Sequence, residues 1–493
     1  MRLLAILLML AALPAGAQTL RLGIASDPDV LDPTLSRSVA GRQVFAAMCD
    51  KLLDIDEQGA VVPQLATAWE WQEDGRALLL TLRPGVRFHD GEALDSAAAV
   101  FGLNRHLTAP GSTRRGEMGP VSGIEVAGPM ALRIRLSEPF APLLAALADR
   151  AGMLVSPRTP PEAQAAPACA GPFRLTRRVA QDRIELERFA QYWDPGVIHF
   201  DRVVYRPIPD TTVRASNLRA GALELIERVA TSDLDTLAAD RRVRVLEGPS
   251  LAVHYLAINI ANGERANTPL GRDARVRAAL EASIDREVVN RVAFEGRFRV
   301  ANQATPPGHP HHIAAIATPG RDLPRARALL REAGLERVRI RLSVPGLSEY
   351  TQPAEVIQAM AAEAGITIEI QVMETATLLR AWTAGDFEAL IIQWSGRTDL
   401  DQNIWSFNAC GESLNGGRYC SAEADAAMRA GRTSTDTAAR LAAYASAMDI
   451  LLRDRPYIYL WHPRSFFAAR AGLEGLRLIP DGLIRLQGLR LRG

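Results

Sequence analysis

The chain has 493 residues, with 57 Lys and Arg against 56 Asp and Glu, and 48% of it is hydrophobic. Nucleic-acid binding calls for a basic surplus that is absent here, so no nucleic-acid partner is expected. The apolar content supports large buried cores, which excludes a disordered chain, and the length suggests about three structural units. Lys51 is the only lysine. A Ser-x-x-Lys dyad fails because Met48 stands where Ser is required, and no Gly-Lys pair exists to build a P-loop.

The N-terminus reads as a signal peptide over residues 1–17. Arg2 is followed by the apolar run Leu3 to Leu13, then Pro14, then the small-x-small site Ala15-Gly16-Ala17. That run is short for a membrane helix, and no cysteine follows it to carry a lipid. The mature chain is therefore expected to be soluble and exported.

Strand candidates follow at Leu20 to Ile24, Ala77 to Leu82 and Leu132 to Leu136, with a helix over Ala97 to His106 capped by Asp95 or Ser96. Alternation predicts further strands over Arg183 to Arg188, Phe200 to Tyr205 and Leu223 to Ile226. Beyond Gly271 the pattern changes. Asp273 caps a helix bearing Val276, Leu280 and Ile284 on one face. Strands at Arg337 to Val344, Ile366 to Val372 and Phe387 to Trp394 alternate with helices from Pro353 to Ala364 and from Thr375 to Ala384, which predicts parallel β-α-β units. Short β-like segments close the chain from Leu473 to Leu491.

In an oxidising compartment the four cysteines are expected to pair. Cys410 and Cys420 flank a loop rich in Gly and Asn, which leaves Cys49 for Cys169; buried free thiols are the alternative.

No Gly-x-Ser-x-Gly, His-Glu-x-x-His or Gly-x-Gly-x-x-Gly motif is present. His309, His311 and His312 form the one histidine cluster, either a metal site or a polar loop. Asp399 to Asn403 starts like a calcium loop, but Ile404 and Cys410 stand where Gly and Glu are needed. The segment Trp394-Ser395-Gly396-Arg397 carries the strongest signal. It lies at the carboxyl end of a strand, where open α/β sheets gather ligands. The indole offers a flat wall, Gly396 permits close approach, and Arg397, oriented by Asp399, can grip a carboxylate. The alternative is a structural Trp beside an Arg397–Asp399 ion pair.

A series of ordered motifs then resembles one family. It includes Asp32-Pro33, Asp50-Lys51-Leu52-Leu53-Asp54, Trp69-Glu70, Leu82 to Gly91 (LRPGVRFHDG), Gly171-Pro172-Phe173, Tyr192-Trp193, Ile284-Asp285-Arg286 and Trp394-Ser395-Gly396. The chain resembles the extracellular solute-binding proteins of ABC importers in the peptide and nickel group. The resemblance implies an α/β, two-lobed periplasmic binding protein fold with an extra strand-rich subdomain in the N-terminal lobe. Lobe I is expected at residues 18–260 and 468–493, its inserted subdomain at about 60–167, and lobe II at 261–467. It also implies a monomer that captures a peptide-like solute without a cofactor and delivers it to permease subunits. The implied ligand region comprises Ser36, Arg37, Ser38, Asn259, Trp394, Ser395, Gly396, Arg397 and Asp399. Peptide-binding members place an aspartate shortly after the Trp. Here Arg397 aligns with it, so an anionic or opine-like solute fits as well. A nickel or metal-chelate carrier using the histidines, and an exported hydrolase using His89 with Asp90, are the alternative functions.

Overall fold

The computed structural model describes residues 18–159 and 167–492. The expected signal peptide lies outside them. Two large sheets dominate the structure.

The first has seven strands. Its centre is Thr19–Ile24, which pairs in parallel with Arg202–Pro207 on one side and Leu225–Glu227 on the other. Ser465–Arg470 and Val243–Gly248 extend one edge, and Arg183–Arg188 and Phe173–Val179 the other. Leu20, Leu22, Phe45, Phe173 and Tyr205 form its core.

The second sheet has six strands. Val338–Pro345 runs parallel to both Ile366–Met373 and Ala389–Trp394, as β-α-β units require. Val253–Ile258 lies antiparallel between Ala389–Trp394 and Tyr457–His462. All six of its residues are buried, because Leu256 and Ile258 enter one core and Val253, Tyr255 and Ala257 the other. This is the signature of a strand covered on both faces.

A third, antiparallel sheet joins Ala66–Gln72, Ala77–Leu82, Ala131–Leu136 and Val121–Gly128 over its own core. It lies within residues 60–167, where the inserted subdomain is expected.

Local signals set several helix boundaries. The Asp95 carboxylate accepts from Ala98 N at 2.9 Å and starts Ser96–Thr108. Asp273 accepts from Arg275 N at 2.8 Å ahead of Ala274–Ala282. Gly385, at φ 76°, stops Thr375–Ala384 in the left-handed conformation. Ile284, expected on the helix after Asp273, lies beyond its end at Ala282, several strands start two residues later than expected, and one helix starts earlier. The helix expected from Pro353 begins at Ser348, with Pro353 inside it. Burying Tyr350 against the sheet core outweighs the one backbone hydrogen bond that Pro353 removes.

The chain crosses between the large sheets twice, from Gly248 to Val253 and from His462 to Ser465. Both crossings precede the expected boundaries at 260/261 and 467/468. The first link, Pro249 to Ala252, follows Gly248 directly, and the run Gly248-Pro249-Ser250 is a turn signal at the crossing itself. Cys49 is bonded to Cys169, and Cys410 to Cys420. Among the described residues no helix is long and apolar enough to cross a membrane.

Candidate functional site

The seam between the two large sheets holds a chain of cavities. The innermost, of about 50 Å³, is lined by Arg37, Arg114 and Arg150 on one side. Tyr255, Trp382, Trp394 and Phe407 form the opposite wall. The aromatic wall follows from strand alternation. Ile392 and Trp394 share a face of their strand, and Tyr255 sits opposite Ile392 on the next one. Trp382 stacks on Phe407 at 6.2 Å between ring centroids, and Phe407 meets Trp394 edge-on at 4.7 Å.

The arginine wall rests on Asp149. Its carboxylate accepts from Arg42 Nη2 at 2.6 Å and pairs with Arg397 Nε at 2.7 Å. It also accepts from the Arg150 backbone N–H at 2.6 Å. Burial opposes ionisation of Asp149, but Arg397, Arg42 and Arg150 hold its carboxyl well below the usual range. Burial pushes Arg397 down to about 9, helped by Arg42 and partly offset by Asp149. Arg150 is pushed down to about 9 by burial and by Arg114. Arg114 and Arg150 both donate to Ser36 O, at 3.4 and 2.7 Å.

Arginine contacts bridge the two sides of the seam. Those around the cavities include Arg37 Nη1 to Thr383 Oγ1 at 2.8 Å, Arg42 Nη1 to Ser395 Oγ at 2.8 Å, the Arg397–Asp149 pair, and Arg228 to Glu349, with Arg297–Asp235 and Arg429–Glu138 at more exposed positions. A dipeptide-sized solute needs about 300 Å³ or more, so seating one requires these bridges to part and re-form. Gln393 borders both the innermost cavity and a second of about 70 Å³, which shares Ser250, Pro463 and Arg464 with a third. This third cavity, about 450 Å³, is the largest of the three and lies near Pro307, His309 and His462. It has prolines and loops where the inner cavity has an aromatic wall, and it lacks buried unpartnered guanidinium groups, so size alone does not make it the better candidate.

The structure relocates several expected contacts. Arg397 is buried and stacks over Trp394 at 4.3 Å, but its charge partner is Asp149 rather than Asp399. Asp399 instead accepts from Arg440 Nη2 at both oxygens, each at 2.8 Å, and from Asp401 N at 3.0 Å. Asn403 explains the separation. It accepts from Arg397 N and donates to the carbonyls of Arg397 and Asp399, which folds the turn so that the two side chains diverge. Gly396 has φ 74°, and a Cβ there would lie 2.1 Å from Leu251 O. The close approach it permits is to the inter-sheet link, not to a ligand. Asn259 is fully buried, and its amide donates to Asn262 O, Gly385 O and Phe387 O, so it organises loops away from the cavity. Ser36 and Ser38 both donate to Asp29 Oδ1, at 2.6 and 2.7 Å, and Arg37 N donates to Asp29 Oδ2. That clamp presents the Arg37 side chain and the Ser36 carbonyl to the site. Sequence reasoning missed Arg42, Arg114, Asp149, Arg150, Trp382 and Phe407. Arg42, Arg114, Asp149 and Arg150 lie far along the chain from the Trp394 turn, whereas Trp382 and Phe407 sit on the helices just before and after it, and the fold brings all six together.

The alternative chemistries do not assemble. His309 Nδ1 accepts from His311 N at 3.1 Å, and its Nε2 faces Arg397 O at 3.3 Å. His312 Nδ1 faces Thr305 O at 3.0 Å. Among the described residues no group of three His, Cys, Asp or Glu converges on a metal position. His89 is pushed down to about 4 by burial and faces Gly171 O, while Asp90 accepts from Ser156 Oγ. The two side chains hold neighbouring loops and form no catalytic pair.

Two large sheets crossed twice by the chain, with a lined seam between them, define a two-lobed solute-binding protein. The family described as bacterial extracellular solute-binding proteins, family 5 middle, matches residues 60–415, and the chain belongs to that family. It is 25% identical over 506 aligned positions to the glutathione-binding protein GsiB of Salmonella paratyphi A, covering 96% of this chain and 94% of that one. It is 26% identical over 522 positions to the probable di/tripeptide-binding protein 5 of Pseudomonas aeruginosa, covering 98% of each. Among solved structures, Helicobacter pylori DppA in complex with the peptide STSA superposes with a TM-score of 0.87 at 23% identity, covering 96% of this chain and 98% of that one.

Proposed function

We propose that this chain captures a peptide-like solute in the cleft between Arg37, Arg114 and Arg150 and the Tyr255–Trp382–Trp394–Phe407 wall. The protein is the solute-binding component of an ABC importer and passes its cargo to the permease subunits. The observation that carries the site is the pairing of an aromatic wall from one lobe with an arginine wall from the other, joined by bridges that closure would make. Relatives matching nearly the whole chain are named for glutathione and for di- and tripeptides, which are carboxylate-bearing molecules of this kind. In this reading residues 1–17 direct export and are cleaved, the mature protein works as a periplasmic monomer, and no chemistry is performed on the solute.

The test is titration of the purified protein with di- and tripeptides and N-blocked or conjugated analogues, followed by tryptophan emission and calorimetry. Saturable one-to-one binding with an emission change is expected, because Trp382 and Trp394 line the cavity. Steady turnover of a peptide or ester, or binding that leaves emission unchanged in every case, would overturn the assignment.

A further inference from the structure

The charges around the inner cavity do not balance. Four buried guanidinium groups, Arg42, Arg114, Arg150 and Arg397, face two carboxylates, Asp149 and Glu117. The neighbouring ionic groups do not make up the difference. Arg440 is matched by Asp399 and Arg432 by Asp401. Arg105 is matched by Asp32, while Lys51 and Arg485 share Asp54 and Asp481. Two positive charges are therefore left unmatched in a place from which water is largely removed.

The hydrogen-bond pattern points the same way. Arg114 Nε, Arg150 Nε and Arg397 Nη2 are buried with no hydrogen-bond acceptor among the described residues, while Arg114 Nη1 lies 3.1 Å from Glu117 Oε2. Arg114 and Arg150 are each 1% exposed, and both line the cavity. Buried donors of this kind are costly to leave unpaired, and a guanidinium without an anion is the costliest case. No Asp or Glu lines the inner cavity. Asp149 and Glu117 stand behind the arginines. In the adjoining cavity Glu349 is held by Arg228, Asp481 by Arg485, and Glu227 accepts from Ala25 N. The inner cavity thus offers a free α-ammonium no carboxylate, and Glu227, which has no ion-pair partner among the described residues, borders only the adjoining one.

We infer that the solute carries two acidic groups and needs no free ammonium, with its anionic end on Arg37, Arg114 and Arg150 and an apolar part on Trp382, Trp394 and Phe407. This rests on the cleft being the capture site, and it narrows the cargo to dianionic molecules. The unmatched arginines serve binding at the expense of the empty protein's stability, a common arrangement at functional sites.

Calorimetric titration with three probes of similar size tests this: N-acetyl-Phe-Asp, Phe-Asp and Phe-Ala. The expected order is N-acetyl-Phe-Asp tightest, then Phe-Asp, then Phe-Ala, with about tenfold or more at each step. Arg150→Gln should weaken N-acetyl-Phe-Asp by about 10–100-fold and Phe-Ala far less, while the empty variant melts no lower than the parent. Arg37→Gln, at a less buried position, should reduce the same preference and guards against misfolding of the first variant. Phe-Ala binding as tightly as N-acetyl-Phe-Asp would overturn the charge requirement and leave peptide capture standing. Retention of the dianion preference by both folded variants would overturn the placement of the site, and capture in this cleft with it. Failure of all three probes to bind would overturn the inference, and mass spectrometry of the solute extracted from the native protein would then decide separately whether peptide capture survives.

Discussion

Asp149→Asn is expected to destabilise the protein by about 3–5 kcal/mol, because it removes the carboxylate that three buried arginines share and leaves their charges uncompensated. Asn keeps the size, but its amide NH2 replaces one of two oxygens that accept only from N–H groups, so the loss combines charge with hydrogen bonding and leaves packing out. Arg42 and Arg397 come from opposite sides of the seam, so the substitution should also weaken lobe closure and lower solute affinity. The measurement is a shift in the denaturant midpoint at constant slope. Adding Arg150→Gln to the same chain should recover part of the loss, since it withdraws one of the crowded guanidinium groups. Stability within about 0.5 kcal/mol of the parent, the range of an ordinary surface substitution, would show that Asp149 does not carry this role.

The second large effect concerns the Cys49–Cys169 bond, which spans a sequence separation of 120. Both cysteines are buried in the core of the seven-stranded sheet, and the bond ties the start of the inserted subdomain to its return. Cross-linking so long a loop removes much unfolded-state freedom, so the double replacement by Ala should cost about 4 kcal/mol. The Cys410–Cys420 bond closes a separation of only 10, and its removal should cost less. Peptide mapping without reduction checks the pairing, and chemical denaturation of the variants checks the magnitudes. Equal losses at the two bonds would contradict the loop-length argument.

Much of the fold was legible because its signals are local. Asp95, Asp273 and Gly385 act on backbone groups within a few residues, and the alternation of Arg183 to Arg188 needs only its own sequence. The lobe crossings were misplaced although Gly248-Pro249-Ser250 and Pro463 mark turns there, because a turn signal does not say which sheet the next strand joins. The site was legible only in part. Trp394 and Arg37 do line the cavity, since a strand end and a clamped loop are readable features. The partner of Arg397 was not readable. Asp399 is near in sequence, yet Asn403 turns it toward Arg440, while Asp149 arrives from the inserted subdomain. Gly396 carried a correct signal of close approach, with the wrong neighbour inferred. A charge surplus such as that of Arg42, Arg114, Arg150 and Arg397 appears in no composition count, because the whole chain is nearly neutral.

The most direct test of the central claim is the crystal structure of the protein purified with its own solute. The expected result is solute between the two walls, with an acidic group within hydrogen-bond distance of Arg114 or Arg150 and an apolar part against Trp394 and Phe407. Solute seated instead in the third cavity beside His309 and His462, with the inner arginines still unpartnered, would contradict the account.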